Sequence, residues 1–246
     1  MMTNIKLTIE YHGLPYCGWQ YQQNEKTVQG EIEKAIFKFS GEKKTIQGAG
    51  RTDAGVHALA QCANFELEKK FDEYQILNGI NFHLGTEKIR ITKVENVDQE
   101  FNARFTAKNK TYYYQVFNSQ APSVIEEDFS IHIRHPLDID SMQSAIKLFL
   151  GKHDFSSFRA QGCQANKALR TIDGASIEVK GKKIIFIFKA QSFLYQQIRI
   201  MVGSLLEVGL KNKNINWINE LIEAKDRSLA GPTVPSKGLI LKEISY

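Results

Sequence analysis

The segment Gly48–His57 (GAGRTDAGVH) holds the densest group of side chains that could do chemistry. Its carboxylate, Asp53, is followed by the small residues Ala54 and Gly55, which permit a sharp turn and let a bulky substrate approach the backbone closely. Arg51 lies two residues away and can keep Asp53 ionised, as a nucleophile or base requires. An ordinary tight turn, in which Asp53 only accepts backbone hydrogen bonds, fits the same residues.

The same segment lacks the marks of several common active sites. No Gly-Lys-Ser/Thr follows, as a phosphate-binding loop would need, and Asp53 stands where a dinucleotide-binding loop has its third glycine. Asp53 and His57 have no third ligand nearby, and the six histidines show no metal spacing. We therefore expect neither a phosphate-binding loop, a dinucleotide-binding loop nor a metal site in this segment.

Cations alternate with aromatic residues in the segment that begins with Phe101–Phe105 and continues through Lys108 and Lys110. Cations can pair with phosphates, and aromatic faces can stack on unpaired bases, so the pattern suits nucleic acid. In a strand, Tyr112 and Tyr114 would share one face. The alternative is a sheet strand whose tyrosines pack in the core.

A third segment, Phe193–Gly203, predicts a helix with Arg199 beside its apolar stripe. A charge at the edge of a core predicts a carboxylate or phosphate partner, although an arginine reaching out to solvent is the alternative. Gly203 lies one turn further on the same face and would let another backbone approach closely.

Hydrophobic periodicity predicts strands and helices without strict alternation, which indicates an α+β fold with a largely antiparallel sheet. Predicted strands span 4–11, 44–47, 88–97, 111–118, 169–179, 183–189 and 238–246. Predicted helices follow Thr27, span 72–82, begin near Asp138 and run through 198–206 and 215–222. No linker rich in Pro, Gly or Ser separates an amino-terminal half, 1–104, from a carboxyl-terminal half, 105–246, so we expect the halves to be fused across a shared sheet.

Charge is unevenly distributed between these halves. Residues 1–104 carry 13 Lys and Arg against 14 Asp and Glu, a net charge of −1, whereas residues 105–246 carry 19 against 13, a net charge of +6. A basic half suggests a surface that meets nucleic acid, although a slightly basic enzyme without an anionic partner fits as well.

Composition favours a folded chain in a reducing compartment. Hydrophobic residues make up 42% of the chain, enough for a full core. Three cysteines without a CxxC pair predict no disulfide framework, which fits the cytoplasm. We see neither a signal peptide nor a membrane-spanning stretch, and so expect no membrane partner.

Taken together, these segments resemble the tRNA pseudouridine synthase A family. The resemblance spans nearly the whole chain in family order, and GRTDAGVH is its most specific motif. The matching segments are YHGLPYCGWQYQ at 11–22, TVQGEIEKAI at 27–36, GRTDAGVHA at 50–58, FNARFTA at 101–107, YYYQVFN at 112–118, HDFSSFRAQGCQANKALRTI at 153–172, FLYQQIRIMVGSLLEVG at 193–209 and AGPTVPSKGL at 230–239.

The resemblance implies a cofactor-free, metal-free isomerase that converts uridine to pseudouridine at positions 38–40 of the tRNA anticodon stem-loop. It also implies a homodimer that holds tRNA across both subunits. The implied fold has two α+β halves whose sheets join into one mixed, largely antiparallel sheet, with helices on one side and an active cleft between the halves.

The resemblance also implies roles for individual residues. Asp53 would be the essential carboxylate, Tyr112 would stack on the target base and handle its proton, and Arg199 would pair with Asp53. Residues on the RNA path would be Arg51, Phe101, Asn102, Ala103, Arg104 and Phe105. A loop that contacts tRNA would comprise Gly162, Cys163, Gln164, Ala165 and Asn166.

Four positions depart from the usual family residues, namely Asn102, Gln196, Gln197 and Lys237. Each keeps hydrogen-bonding capacity, so the departures bear on substrate contacts more than on the reaction. Two alternatives stay open beside the enzyme. One is a non-catalytic RNA-binding protein on the same scaffold, and the other is the same chemistry at a different RNA position.

Overall fold

A computed structural model describes residues 2–246, which divide into two compact units. The first unit runs up to Lys108 and includes Leu241–Tyr246, and the second is Asn109–Ile240. The sequence alone predicts a division at 104/105, with the last residues of the chain in the second half. The end of the chain returns to the first unit because the last strand, β11 (Leu239–Ser245), is a sheet neighbour of a first-unit strand.

The sheet of the first unit has the strand order β4-β1-β3-β11, with β2 paired to β3. These strands are β1 (Thr3–Tyr11), β2 (Gln47–Gly48), β3 (His57–Leu67) and β4 (Ile89–Val97). The pairs of β1 with β3 and β4, and of β2 with β3, are antiparallel. In β1, Ile5, Leu7 and Ile9 are buried while the residues between them are partly exposed, so the predicted alternation is confirmed.

Two helices, α1 (Val28–Ser40) and α2 (Glu73–Leu84), add buried apolar residues to this unit. The Thr27 side chain accepts a hydrogen bond from the Gly30 N–H and begins α1, as the sequence predicted. At α2, Asp72 and Gln75 form a reciprocal capping box. Each helix buries apolar residues at helical spacing, Ile32 and Ile36 in α1 and Ile76 and Ile80 in α2.

No strand is predicted from the sequence over β3, although β3 lies inside the sheet between β1 and β11. Its residues, HALAQCANFEL, mix Ala and Cys with His, Gln and Asn, so no hydrophobic alternation marks them. Side chains on both faces of β3 are largely buried, so apolar and polar residues do not alternate along the strand. Its buried polar residues form hydrogen bonds: Gln61 donates to the Gly50 carbonyl, and Asn64 accepts from the Ala103 N–H.

The second unit contains a sheet of order β5-β10-β9, in which β6 pairs parallel to β5, and a separate pair β7-β8. Its strands are β5 (Asn109–Asn118), β6 (Ile131–Ile133), β7 (Gly151–Asp154), β8 (Leu169–Ile172), β9 (Gly174–Lys180) and β10 (Lys183–Ala190). The predicted strand 169–179 is two strands in different sheets, since the chain breaks at Asp173, whose N–H donates to the Lys189 carbonyl.

Three helices complete this unit, α3 (Ile139–Ile146), α4 (Gln197–Gly209) and α5 (Trp217–Ala224). Helix α4 buries almost all of its residues, as its apolar stripe predicted. Helix α5 buries Ile218 and Leu221. Ile215, the first residue of the predicted helix 215–222, precedes the helix and is 37% exposed.

The α+β class is confirmed, with a mixed but largely antiparallel pairing of strands. The expected joining of the halves and the cleft between them stay predictions. None of the helices in residues 2–246 is long and apolar enough to cross a lipid bilayer.

Candidate active site

The loop that carries Asp53 is fixed by hydrogen bonds on both sides of that residue. Before it, the Gln61 amide donates to the Gly50 carbonyl at 3.0 Å, and the Trp19 N–H donates to the Thr52 carbonyl at 3.1 Å. After it, the Val56 N–H donates to the Asp53 carbonyl at 3.2 Å and closes a turn. The backbone under Asp53 is therefore held in one conformation by the protein itself.

The segment that follows β1 packs directly against this loop. A Cβ atom at Gly13 would lie 2.0 Å from the Val56 carbonyl oxygen, so only glycine allows the approach. The Gly13 N–H donates to Nδ1 of His57 at 3.1 Å, and Oη of Tyr11 lies 2.8 Å from Oγ1 of Thr52. This contact gives the motif at 11–22 a physical role, which is to position the Asp53 loop.

The turn that carries Asp53 is accessible to solvent, and a buried phenol contacts the neighbouring Thr52. Asp53 is half-buried and Ala54 is exposed, so a large substrate can reach the turn. Burial raises the pKa of Tyr11 to about 12 despite its bond to Thr52, so the phenol stays protonated at neutral pH. Arg51 is exposed, and its Nε donates to Oε1 of Gln20 at 3.1 Å.

The segment Phe101–Phe105 is a tight turn built around Asn102 and Ala103. The Asn102 side chain accepts from the N–H groups of Arg104 at 2.9 Å and Phe105 at 3.1 Å. Phe105 is 78% exposed, with the Arg104 guanidinium 5.5 Å from its ring centroid. The turn thus offers an aromatic face with an adjacent cation, which is the chemistry that stacks on an unpaired base.

Two residues that sequence reasoning missed hold this turn in place. The buried N–H of Ala103 donates to Oδ1 of Asn64 at 2.9 Å, and Oη of Tyr246 donates to the Ala103 carbonyl at 2.9 Å. The Asn64 amide also donates to Oδ1 of Asn4 at 3.0 Å. Asn64 lies in β3, a strand that was not predicted from the sequence. Without that strand, nothing in the sequence marks this asparagine as a residue of the site.

In the second unit, Tyr112 lies in β5 and is only 8% exposed. Its ring meets Phe193 edge-on, with 5.4 Å between centroids. Tyr114 is fully buried and donates from Oη to the Pro235 carbonyl at 2.8 Å, while Tyr113 is half-buried. The predicted shared face of Tyr112 and Tyr114 is confirmed. Tyr114 packs in the core, as the alternative proposed, and the stacking role of Tyr112 stays a prediction.

Arg199 is half-buried on α4, and its Nε donates to the Val234 carbonyl at 2.7 Å. Within the second unit the arginine is therefore oriented by a backbone carbonyl, and its pairing with Asp53 stays a prediction. Gly203 does admit another backbone, as predicted, because its Cβ would lie 1.9 Å from the Pro232 carbonyl oxygen.

The loop predicted to contact tRNA is ordered by an arginine at its base. Nη2 of Arg159 donates to the carbonyls of Cys163 at 3.0 Å and Ala165 at 2.6 Å. Gly162, Gln164 and Asn166 are exposed at the surface. Across residues 2–246 there is no group of three or more His, Cys, Asp or Glu side chains arranged to hold a metal ion.

Comparison with known proteins identifies the family. The profile of the tRNA pseudouridine synthase family matches residues 7–106 and 145–246. A tRNA pseudouridine synthase A from Wolbachia pipientis wMel is 46% identical over 242 residues, which cover 98% of this chain and 99% of the relative.

Two further proteins with the same name match at similar length. The protein from Acetivibrio thermocellus is 44% identical over 245 residues, covering 100% of both chains, and that from Ehrlichia canis is 44% identical over 242 residues, covering 98% of this chain and 99% of the relative. The resemblance seen in the sequence is confirmed, and the chain belongs to the tRNA pseudouridine synthase family.

Proposed function

We propose that this chain isomerises uridine to pseudouridine at positions 38–40 of the tRNA anticodon stem-loop, with Asp53 as the essential carboxylate. The observation that carries the proposal is the end-to-end similarity to proteins named tRNA pseudouridine synthase A. The rigid, solvent-accessible turn around Asp53 supports it, since a catalytic carboxylate must be both held in place and reachable.

The reaction breaks the bond between N1 of uracil and C1′ of ribose, rotates the base and rejoins it through C5. The proton that leaves C5 is matched by one gained at N1, so the product is an isomer of the substrate. An ionised carboxylate could attack C1′ or C6, or remove a proton from C2′. All three routes use Asp53 without a cofactor.

The target base must leave its stem before it can meet Asp53, and extrusion costs about a few kcal/mol. We assign Tyr112 to stack on the extruded base and handle its proton, and Arg199 to pair with Asp53. Arg51 and the turn Phe101–Phe105 are assigned to the RNA path. The exposed Phe105 ring and its neighbouring guanidinium support that assignment.

Two further assignments accompany the reaction. We propose a homodimer that holds tRNA across both subunits, which follows from the family resemblance. We also propose a cytoplasmic site of action, a compartment that fits three cysteines that are all free thiols.

The test is release of tritium from C5 of labelled uridine in tRNA, which binding alone does not produce. We expect Asp53→Asn to lower the rate by about a thousandfold or more while tRNA affinity changes little, because removal of a catalytic nucleophile or base typically has such an effect. Asp98→Asn makes the same change at another acidic residue of the first unit and should retain full activity.

Three results would contradict parts of the proposal. Tritium release by Asp53→Asn at a near-normal rate would remove Asp53 from catalysis. A wild-type protein that binds tRNA without releasing tritium would be the non-catalytic RNA-binding alternative. Pseudouridine mapped outside positions 38–40 would indicate the same chemistry at a different RNA position.

A further inference from the structure

A pocket of about 600 Å³ opens in the second unit beside the loop that starts at Arg159. One wall is the segment Arg159–Cys163, and the other is the short turn Asp226–Ser228 that follows α5. The pocket is therefore defined entirely by second-unit residues, and it contains two arginines, Arg159 and Arg227.

Neither arginine of this pocket is neutralised by an acid. Arg159 donates to the carbonyls of the loop that it orders, and Arg227 donates to the Ala230 carbonyl at 3.4 Å and to Oγ1 of Thr233 at 3.0 Å. No carboxylate within residues 2–246 pairs with either guanidinium. Both side chains are half-buried, and burial lowers the pKa of Arg227.

The single acid that lines the pocket is already engaged. Oδ1 of Asp226 accepts from both the N–H and the hydroxyl of Ser228, each at 2.8 Å, and thereby caps the short turn. Arg170 adds positive charge beside Arg159, and burial lowers the pKa of Arg170 too. The pocket thus has an excess of positive charge that is partly withdrawn from water.

We propose that this pocket binds a phosphodiester group of the tRNA backbone, with Arg159 and Arg227 as its two contacts. The inference rests on the proposed function and adds these two arginines to it. A guanidinium presents several N–H donors in one plane, and this geometry matches phosphate oxygens. Because protein carbonyls and a hydroxyl already fix some donors of each arginine, little side-chain freedom is lost when the remaining donors bind an anion.

The pocket's size favours the RNA backbone over a free anion. A volume of about 600 Å³ lies within the range of sites for ligands much larger than one phosphate ion. A chain of phosphodiesters can enter such an open site with its ribose and base groups. The exposed residues of the adjoining loop, Gly162 and Gln164, then border the same RNA strand.

The first experiment measures tRNA binding by Arg227→Gln as a function of salt. The loss of one phosphate contact should weaken binding about threefold to tenfold at low salt and reduce the slope of log K against log salt by about 0.7–0.9. KM should rise more than kcat falls, and Arg227→Lys should recover part of the affinity. Arg227→Gln with unchanged affinity and slope would overturn the proposal.

Arg90→Gln is the matched control. Arg90 is an exposed arginine of the first unit that also donates to backbone carbonyls, those of Gly85, Glu87 and Ile89. Its replacement removes the same charge and the same type of hydrogen bond, and we expect the affinity and the salt slope of the wild type. An equal loss of tRNA affinity in Arg90→Gln would show that the effect comes from net charge and would overturn the proposal of a phosphate-binding pocket.

A second measurement uses the wild-type protein and does not depend on the folding of a variant. Burial alone would raise the pKa of the Cys163 thiol. Hydrogen bonds from the backbone of Tyr195 and Ala165, together with the nearby Arg159, outweigh burial and hold this pKa below its ordinary value. Burial raises the pKa of Cys62 to about 11, and a hydrogen bond to Glu25 raises that of Cys17. Iodoacetamide should therefore label Cys163 first.

Saturating tRNA should slow this labelling several-fold, whereas inorganic phosphate at the same phosphate concentration should not. Equal labelling with and without tRNA would overturn the proposal, as would protection by inorganic phosphate alone. The outcomes separate the two proposals. An inactive wild type whose Cys163 is protected by tRNA contradicts only the isomerase function. An active enzyme whose Cys163 is not protected contradicts the pocket and the tRNA contact of its loop, and leaves the isomerase function intact.

Discussion

Replacement of Gly203 by alanine tests whether α4 and the segment Gly231–Val234 are packed as closely as the structure shows. The new Cβ would lie 1.9 Å from the Pro232 carbonyl oxygen and 3.0 Å from its carbon. These are backbone atoms, so no side-chain rotation can relieve the overlap. The segment must move away from the helix, or the helix must move away from the segment.

The size of the effect follows from opposing terms. Alanine is favoured over glycine inside a helix by about 1 kcal/mol. Overpacking typically costs about 1–3 kcal/mol, and an overlap this severe belongs at the upper end. Displacement would also break the hydrogen bond from Gly231 N–H to Oγ of Ser204 and the one from Arg199 to Val234, each contributing about 0.5–1.5 kcal/mol.

We therefore expect Gly203→Ala to lose about 2 kcal/mol or more of unfolding free energy. For a chain of this length, the corresponding fall in Tm is about 4–8 °C. Activity should fall further than the stability loss explains, since the carbonyl that orients Arg199 moves with the segment. Urea and thermal unfolding measure the first effect, and tritium release at a temperature where the variant is folded measures the second.

Gly209→Ala is the control within the same helix. Its Cβ would meet Sδ of Met142 at 2.5 Å, and a flexible methionine can move aside, so we expect a smaller loss. If Gly203→Ala were as stable as the wild type or more stable, helix propensity alone would decide the outcome. The close packing inferred for α4 would then be refuted.

Two further predictions concern the first unit. Asn64→Leu leaves the buried Ala103 N–H without its acceptor, so we expect a loss of about 1–3 kcal/mol by urea unfolding and a KM for tRNA that rises more than kcat falls. Burial opposes ionisation of Glu87, but its ion pair with Lys26 and its hydrogen bond from Tyr16 prevail and hold its pKa below the ordinary value. The stability that ionised Glu87 adds is therefore present at neutral pH and is lost as the pH falls. Glu87→Gln should therefore be less stable than the wild type by up to about 1 kcal/mol at pH 6, and this difference should shrink toward pH 3; a constant difference would contradict the reasoning.

Elements with a clear period were predicted well from the sequence. The cap at Thr27, the alternation in β1 and the apolar stripe of α4 each follow from local residue types, and the structure confirms them. The strand β3 was missed for two reasons. Both of its faces are largely buried, so its residues do not alternate, and Gln61 and Asn64 occupy positions in it where they form hydrogen bonds to residues outside the strand. A hydrophobic pattern reflects the burial of neighbouring residues in the sequence, whereas β3 is flanked in the sheet by β1 and β11, which are distant from it in the chain.

The candidate site likewise has a part that was predicted from the sequence and a part that was not. The Asp53 loop could be recognised because its chemistry is concentrated in ten consecutive residues. The groups that hold the turn Phe101–Phe105 could not, because Asn64 and Tyr246 reach Ala103 from 39 and 143 residues away in the chain. Nothing in their own neighbourhoods distinguishes them from ordinary polar residues.

Charge counting located the basic half of the chain, but the partners of each cation decide which charges are available to RNA. In the first unit, Lys6, Lys26 and Lys44 pair with glutamates, so much of their charge is neutralised. Arg159 and Arg227 donate to neutral groups instead and keep their charge. Salt-dependent binding should therefore follow these arginines more closely than net charge, because an ion-paired lysine must lose its glutamate before it can neutralise a phosphate.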